Sequence, residues 1–198
     1  MKLRPSLFLA LGTVMVASTP AWAHPEAGVP GGLLSGFLHP LSGLDHMVAM
    51  VSVGLWGAML GAPAIWVLPI AFPLVMALGG VLGVLGVPVP PPELMIALSA
   101  VVLGLAVACA ARAPLWVAGI IVASFAIFHG YAHGQELPES SNALAYGVGF
   151  VVATGLLHAV GISAGLLTRY RSGAFAIRLV GAGVAVLGVF FLRNALVS

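Results

Sequence analysis

Long apolar runs with almost no charge constrain this chain more than any other feature. Charged residues make up 6% of it, against about a quarter in soluble domains. Each run is long enough to cross a hydrocarbon core of about 30 Å as a helix rising about 1.5 Å per residue. The chain is therefore predicted to be an all-α polytopic membrane protein with six transmembrane helices. They are expected at roughly 33–60, 64–87, 94–111, 115–136, 142–167 and 174–195.

The N-terminal segment has the composition of a secretory signal peptide. A basic start at Lys2 and Arg4 precedes a short apolar run, and Ala21-Trp22-Ala23 is an A-x-A cleavage pattern. We predict a cleaved signal peptide at 1–23 and a single six-helix transmembrane domain at 24–198. An uncleaved first anchor is the alternative, although the run is short for a membrane span.

The arginines give the same orientation as the signal peptide. An exported N-terminus makes odd-numbered spans run inward, so the loops with Arg112 and with Arg169 and Arg171 fall on the cytoplasmic side. Of the arginines after the signal peptide, only Arg193 lies near the outer face, in agreement with the positive-inside rule. We expect a multi-pass protein of a bacterial inner membrane with a periplasmic mature N-terminus.

Composition also limits the partners. A single cysteine, Cys109, excludes an internal disulfide framework and a thiolate-cluster metal site. A net charge of +2 from scattered arginines excludes an electrostatic footprint for nucleic acid. Imidazole, oxygen and thioether ligands remain. The expected partners are a divalent transition metal ion and the lipid bilayer, and a homo-oligomer is left open.

The first polar cluster lies in the outer half of the first span, at His39, Asp45 and His46. If this stretch is one helix, the two histidines share a face at i and i+7, with Asp45 at its flank. Pro40 removes a backbone donor and can open the helix near His39, which would free carbonyl oxygens. Imidazole suits nickel, copper, zinc and iron, and a nearby carboxylate can be a ligand or can orient a histidine. We predict metal ligands here, with hydrogen bonding between helices as the alternative.

The second polar cluster lies in the outer half of the fourth span, at His129, His133 and Glu136. Histidines at i and i+4 project from one side of a helix and can chelate one ion, with Glu136 three residues further along. The glycines that follow both histidines allow close approach by another helix. We predict that these three side chains are metal ligands too.

Three further candidates have an ordinary explanation beside the metal one. His158 lies inside the fifth span, where it could be a ligand or a polar contact between helices. His24 would be the first residue after cleavage, where its amine and ring could chelate an ion together or where it could be an ordinary residue next to a cleavage site. Met50 offers a thioether but could equally be core packing.

Two stretches carry a resemblance to a known family. They are Leu38-His39-Pro40-Leu41-Ser42-Gly43-Leu44-Asp45-His46 and Phe128-His129-Gly130-Tyr131-Ala132-His133-Gly134-Gln135-Glu136. Together they closely resemble the HupE/UreJ family of nickel permeases and accessory proteins, and the resemblance covers essentially the whole chain. Its most specific part is H-P-x-x-G-x-D-H. Tyr131 stands where another histidine is often expected in the second motif, which could alter metal preference.

The resemblance implies secondary transport of nickel, or of cobalt, across the inner membrane to supply hydrogenase or urease maturation. We therefore expect a permease and not an enzyme, with Ni(II) as the transported ion. Ligand chemistry also allows Co(II), Zn(II) and copper, because nitrogen and oxygen sites do not separate these ions by themselves.

Two other functions stay open at this point. An intramembrane metal-dependent hydrolase could use histidines to hold zinc and an acid to activate water. A metal sensor or metallochaperone-docking protein could bind the ion without transporting it. The permease hypothesis has one weakness, which is that the inner halves of the spans contain few polar residues, mainly Ser52, Ser99, Thr154 and His158.

Overall fold

Residues 32–137 and 142–197 are described by a computed structural model of the protein. The regular elements in these two ranges are helices, which confirms the all-α prediction there. The predicted signal peptide and His24 lie outside the described residues. In chain order the elements are α1 (Leu33–Ser42), α2 (Leu44–Leu60), α3 (Ala64–Val84), α4 (Pro92–Ala108), α5 (Leu115–Gln135), α6 (Ala143–Gly165), a 3-10 turn (Leu166–Arg169) and α7 (Arg171–Val197).

Several of these helices have the length and apolarity of membrane spans. Among the described residues, α3, α5, α6 with its 3-10 turn, and α7 each qualify, and α1 and α2 would make a fifth span together. The apolar helix α4 has 17 residues, which corresponds to about 26 Å at the usual helical rise. The helices thus indicate a multi-pass membrane protein, and the count of six spans stays a prediction.

The first predicted span is broken in two. Helices α1 and α2 are bent by 87° at Gly43, where the backbone is extended (φ −96°, ψ 112°). The expectation that Pro40 opens the helix is wrong, because Pro40 lies within α1 and the helix continues to Ser42. Glycine has a low helix propensity, so the chain turns there instead. His39 and His46 consequently lie on different helices and not on one shared face.

Helices α3 and α5 form a close parallel pair. The residue numbers of the contacting pairs increase in the same direction along both helices, from Gly79 beside Ile127 to Gly83 beside Gly134. Helices α2 and α6 also pack together, with Gly54 against the backbone at His158. Small residues let helix backbones approach in lipid, where no hydrophobic effect drives helices together. Helix α6 packs against α1 as well, so it lies against both of the first two helices.

The arginine contacts and the histidine clusters lie near opposite ends of α5. At one end, Arg178 Nε donates a hydrogen bond of 2.7 Å to the carbonyl of Ala108, at the end of α4. Trp56 Nε1 donates one of 2.9 Å to the carbonyl of Ala111 in the connection that leads to α5. Helix α5 has 21 residues, or about 30 Å, and Glu136 follows its other end. The polar clusters are therefore remote from the arginine-bearing loops.

A glycine-to-alanine pair on α5 tests this packing. Gly130 lies so close to α3 that a Cβ there would overlap the Met76 carbonyl, whereas a Cβ at Gly119 would meet no neighbour. We expect Gly130→Ala to destabilise the protein by about 1–3 kcal/mol and to lower its thermal unfolding midpoint. Gly119→Ala should be neutral or stabilising, because alanine is the better helix former. Thermal unfolding in detergent, followed by helical circular dichroism, measures both, and equal midpoints would contradict the close contact.

Candidate metal site

The two polar clusters meet at one end of the helix bundle. His39 Nε2, on α1, lies 2.9 Å from His133 Nδ1 on α5 and 3.2 Å from Glu136 Oε2. His133 Nδ1 is 3.7 Å from the same carboxylate oxygen. One ligand atom from each of these residues lies within 4.8 Å of the others. We call His39, His133 and Glu136 the entry set.

His46, on α2, packs against both histidines of α5. Its ring centroid is 4.6 Å from that of His133 and 5.1 Å from that of His129. The rings of His46 and His129 meet edge to face, with an interplanar angle of 83°. We call His46, His129 and His133 the deep set, and His133 belongs to both sets.

A backbone hydrogen bond determines which nitrogen of His129 carries the proton. His129 Nδ1 lies 2.9 Å from the carbonyl oxygen of Phe125, one turn earlier on α5. Because a carbonyl can only accept, Nδ1 must be the protonated nitrogen of a neutral ring. The lone pair of His129 is then on Nε2, as a metal ligand requires.

Asp45 orients His46 in the same way. One carboxylate oxygen of Asp45 accepts hydrogen bonds from His46 Nδ1 and from the His46 backbone N–H, both at 2.9 Å. The carboxylate thus keeps the proton on Nδ1 and leaves the lone pair on Nε2. A carboxylate that holds the far nitrogen of a histidine is a common outer partner in metal sites. Of the two roles considered for Asp45, this geometry favours orientation.

The deep set contains three buried nitrogens without a partner. The Nε2 atoms of His46, His129 and His133 have no hydrogen bond to the described residues. Leaving a buried polar group unpaired costs about 1–3 kcal/mol, and intramembrane ionisable residues are usually functional. His46 and His129 have outer hydrogen bonds at Nδ1, and three imidazole lone pairs arranged in this way fit a divalent transition metal ion well.

Three aromatic rings from outside the two motifs line the clusters. Phe150 of α6 lies 4.5 Å from the His133 ring centroid, and Tyr146, one turn earlier, lies 5.8 Å from that of His39. Phe72 of α3 lies 5.5 Å from His129. Sequence reasoning missed all three, since aromatic residues are ordinary in apolar spans. The one available signal was at Phe72, which lies between two prolines, Pro69 and Pro73.

The remaining candidate residues lie outside the entry set and the deep set. Met50 is fully buried in the hydrophobic core. Tyr131 accepts a hydrogen bond of 3.4 Å from Gln135. His158 is buried on α6 and is separated from the deep set by Phe72, whose ring it also contacts. The structure thus brings together His39, Asp45, His46, His129, His133 and Glu136, and it leaves Met50 and His158 outside that group.

An apolar cavity of about 360 Å³ lies beside His133, between α3, α5 and α6. His133 and Tyr146 supply polar atoms to a lining that is otherwise mainly aliphatic. Val81 and Val151, which also line it, are exposed within α3 and α6 and not at the ends of these helices. The cavity therefore opens sideways, toward the region that lipid would occupy.

Comparison with known proteins agrees with the resemblance carried by the motifs. Residues 12–191 match the family described as HupE / UreJ protein. Protein HupE of Rhizobium leguminosarum bv. viciae is 45% identical over 181 residues, which cover 91% of this chain and 95% of that protein. No solved structure matches the chain significantly. A match over most of the chain in both comparisons establishes that this protein belongs to the HupE/UreJ family.

Proposed function

We propose that this protein is an inner-membrane permease for nickel, and secondarily for cobalt, that takes up the ion at its histidine-rich end. The observation that carries the proposal is a series of imidazoles that runs from partly exposed to fully buried. The His39 side chain is 22% exposed and that of His133 8%, and His129 is fully buried. Such a series provides successive nitrogen ligands along a path into the bundle.

His133 is the residue that links the two sets. Its Nδ1 faces His39 and Glu136 in the entry set, and its Nε2 is buried without a partner beside the deep set. Because a neutral imidazole has one lone pair, His133 serves one set at a time. An ion that passes from the entry set to the deep set leaves Nδ1, the ring proton moves from Nε2 to Nδ1, and Nε2 can then bind the ion. We propose two overlapping positions for one ion.

The ligand sets also support weak, reversible binding. The entry set contains a carboxylate that is partly exposed, so water can complete the coordination of an ion there. A transport site must bind well enough to admit the ion and weakly enough to release it. We therefore propose modest affinity for nickel, with cobalt, zinc and copper as competitors at similar ligands.

Orientation and physiological role follow from the sequence and the family. The predicted cleaved signal peptide at 1–23 and the arginine bias support a transmembrane domain from residue 24 with its histidine-rich end in the periplasm. Membership of the HupE/UreJ family supports a role in supplying hydrogenase or urease maturation. We propose both as parts of the permease function.

Radioactive nickel uptake in a host that lacks its own nickel importers tests the proposal. Cells that express the wild-type protein should accumulate nickel well above cells with an empty vector, and His129→Ala/His133→Ala at matched membrane levels should abolish the gain. Ser163→Ala is the control, because its exposed hydroxyl bonds only to the carbonyl of Ala159 on its own helix. Nickel binding by the purified protein without uptake would instead support a sensor or metallochaperone-docking role.

The lateral cavity gives the hydrolase hypothesis a specific observation. An apolar space beside His133 could admit a lipid chain or a hydrophobic segment to an ion held by the histidines. In that case the zinc-loaded protein should hydrolyse an ester or amide substrate within lipid vesicles, and His133→Ala should abolish the turnover. Turnover without nickel uptake would replace the permease proposal.

A further inference from the structure

A second group of buried polar side chains lies deeper in the bundle, on α6. His158 is 1% exposed, and neither of its ring nitrogens completes a hydrogen bond to the described residues. Thr154 is fully buried, and its hydroxyl also lacks a partner there. Residues four apart share a helix face. The hydroxyl and the imidazole therefore form one polar patch in an apolar interior.

Helix α3 presents a backbone oxygen to this patch. It contains Pro69 and Pro73 within one continuous helix. Because proline has no N–H, Pro73 cannot donate to the Pro69 carbonyl, four residues earlier. The Pro69 carbonyl instead faces the His158 ring across the interface. The patch thus combines an imidazole, a hydroxyl and a carbonyl that has no helical donor at i+4.

Phe72 separates this patch from the deep set. Its ring centroid is 5.5 Å from that of His129 and 5.4 Å from that of His158. Both contacts are edge to face, with interplanar angles of 68° and 85°, and Phe72 itself is fully buried. The series of imidazoles that begins at the partly exposed His39 therefore continues past one aromatic ring to His158.

We propose that His158, Thr154 and the Pro69 carbonyl form an inner relay site for the transported cation, reached from the deep set when the Phe72 ring turns aside. The inference rests on the proposed permease function. Even with the Pro69 carbonyl beside it, His158 keeps at least one buried ring nitrogen without a partner among the described residues, and the Thr154 hydroxyl lacks one there too. A histidine that served only to join helices would leave fewer polar atoms unpaired. Mixed nitrogen and neutral oxygen donors suit a divalent ion in transit, because they bind it more weakly than the outer sets.

Separate measurements of binding and transport test the relay. In proteoliposomes, His158→Leu should lower the maximal rate of nickel uptake at least ~10-fold, with KM little changed. Nickel affinity measured by calorimetry should stay within about twofold, because the outer ligands are intact, and the thermal unfolding midpoint should not fall. Ser99→Ala is the matched control, since it removes a buried hydroxyl on α4 that bonds only to the carbonyl of Ile96.

The outcomes separate this inference from the proposed function. An unchanged maximal rate in His158→Leu, with a wild-type protein that transports nickel, overturns the relay and leaves the permease standing. If His158→Leu does not reach the membrane, Thr154→Val decides by the same comparison, because it replaces only a hydroxyl with a methyl group. A wild-type protein that neither binds nor transports nickel refutes the permease proposal itself.

Discussion

His133→Ala is expected to reduce the initial rate of nickel uptake at least ~100-fold, beyond the 10–100-fold that loss of an outer partner costs. The His133 ring contacts His39 through Nδ1 and packs 4.6 Å from the His46 centroid. Its loss removes a ligand from the entry set and from the deep set at once, so no intact path between them is left. Radioactive nickel uptake at matched membrane levels measures the effect.

Tyr131→Phe is the matched control on the same helix. Tyr131 lies two residues before His133 and is buried as well, but its hydroxyl bonds to Gln135 rather than to a histidine. Its uptake should stay within about twofold of wild type. A comparable loss in both variants would mean that packing at this end of α5, and not the imidazole, limits transport. Uptake retained by His133→Ala would remove this residue from the ligand set.

The helix bounds follow from the sequence because apolar run length and proline positions are local properties. The expected 115–136 and the observed Leu115–Gln135 differ by one residue at one end, and Pro114 explains the start of this helix. The break at Gly43 could not be predicted in the same way, since hydropathy contains no information on chain direction. The proline predicted an opening of the helix near position 40, whereas the helix includes Pro40 and the chain turns three residues later, at Gly43.

The candidate site was predictable as a set of residues and not as an arrangement. His39 and His133 are separated by 94 positions, and no motif encodes how α1 and α5 pack. The shared role of His133 depends on that packing. The proton positions on His129 and His46 depend on hydrogen bonds to Phe125 and Asp45 that only coordinates reveal. Phe72 belongs to neither motif, so its position between His129 and His158 could not be predicted from the sequence either.

Asp45→Ala is expected to weaken nickel binding about 10–100-fold without unfolding the protein. Alanine removes the oxygen that accepts from His46 Nδ1 and from the His46 backbone. The imidazole can then rotate, and its proton can move to Nε2. A protonated Nε2 cannot bind an ion in the deep set. Calorimetric titration of the purified protein with nickel measures the affinity, and in uptake assays the same change should appear mainly as a higher KM.

Asp45→Asn separates the two possible roles of this carboxylate. The amide keeps an oxygen that can accept the same hydrogen bonds, but it carries no charge. If Asp45 acts by orienting His46, the asparagine variant should retain most of the nickel affinity that alanine loses. Equal losses in both variants would make Asp45 a direct ligand, because its charge would then matter more than its hydrogen bonds. Ser42→Ala, which removes an exposed hydroxyl bonded to the His39 carbonyl, should leave the affinity unchanged and so exclude a general effect of substitution near the bend.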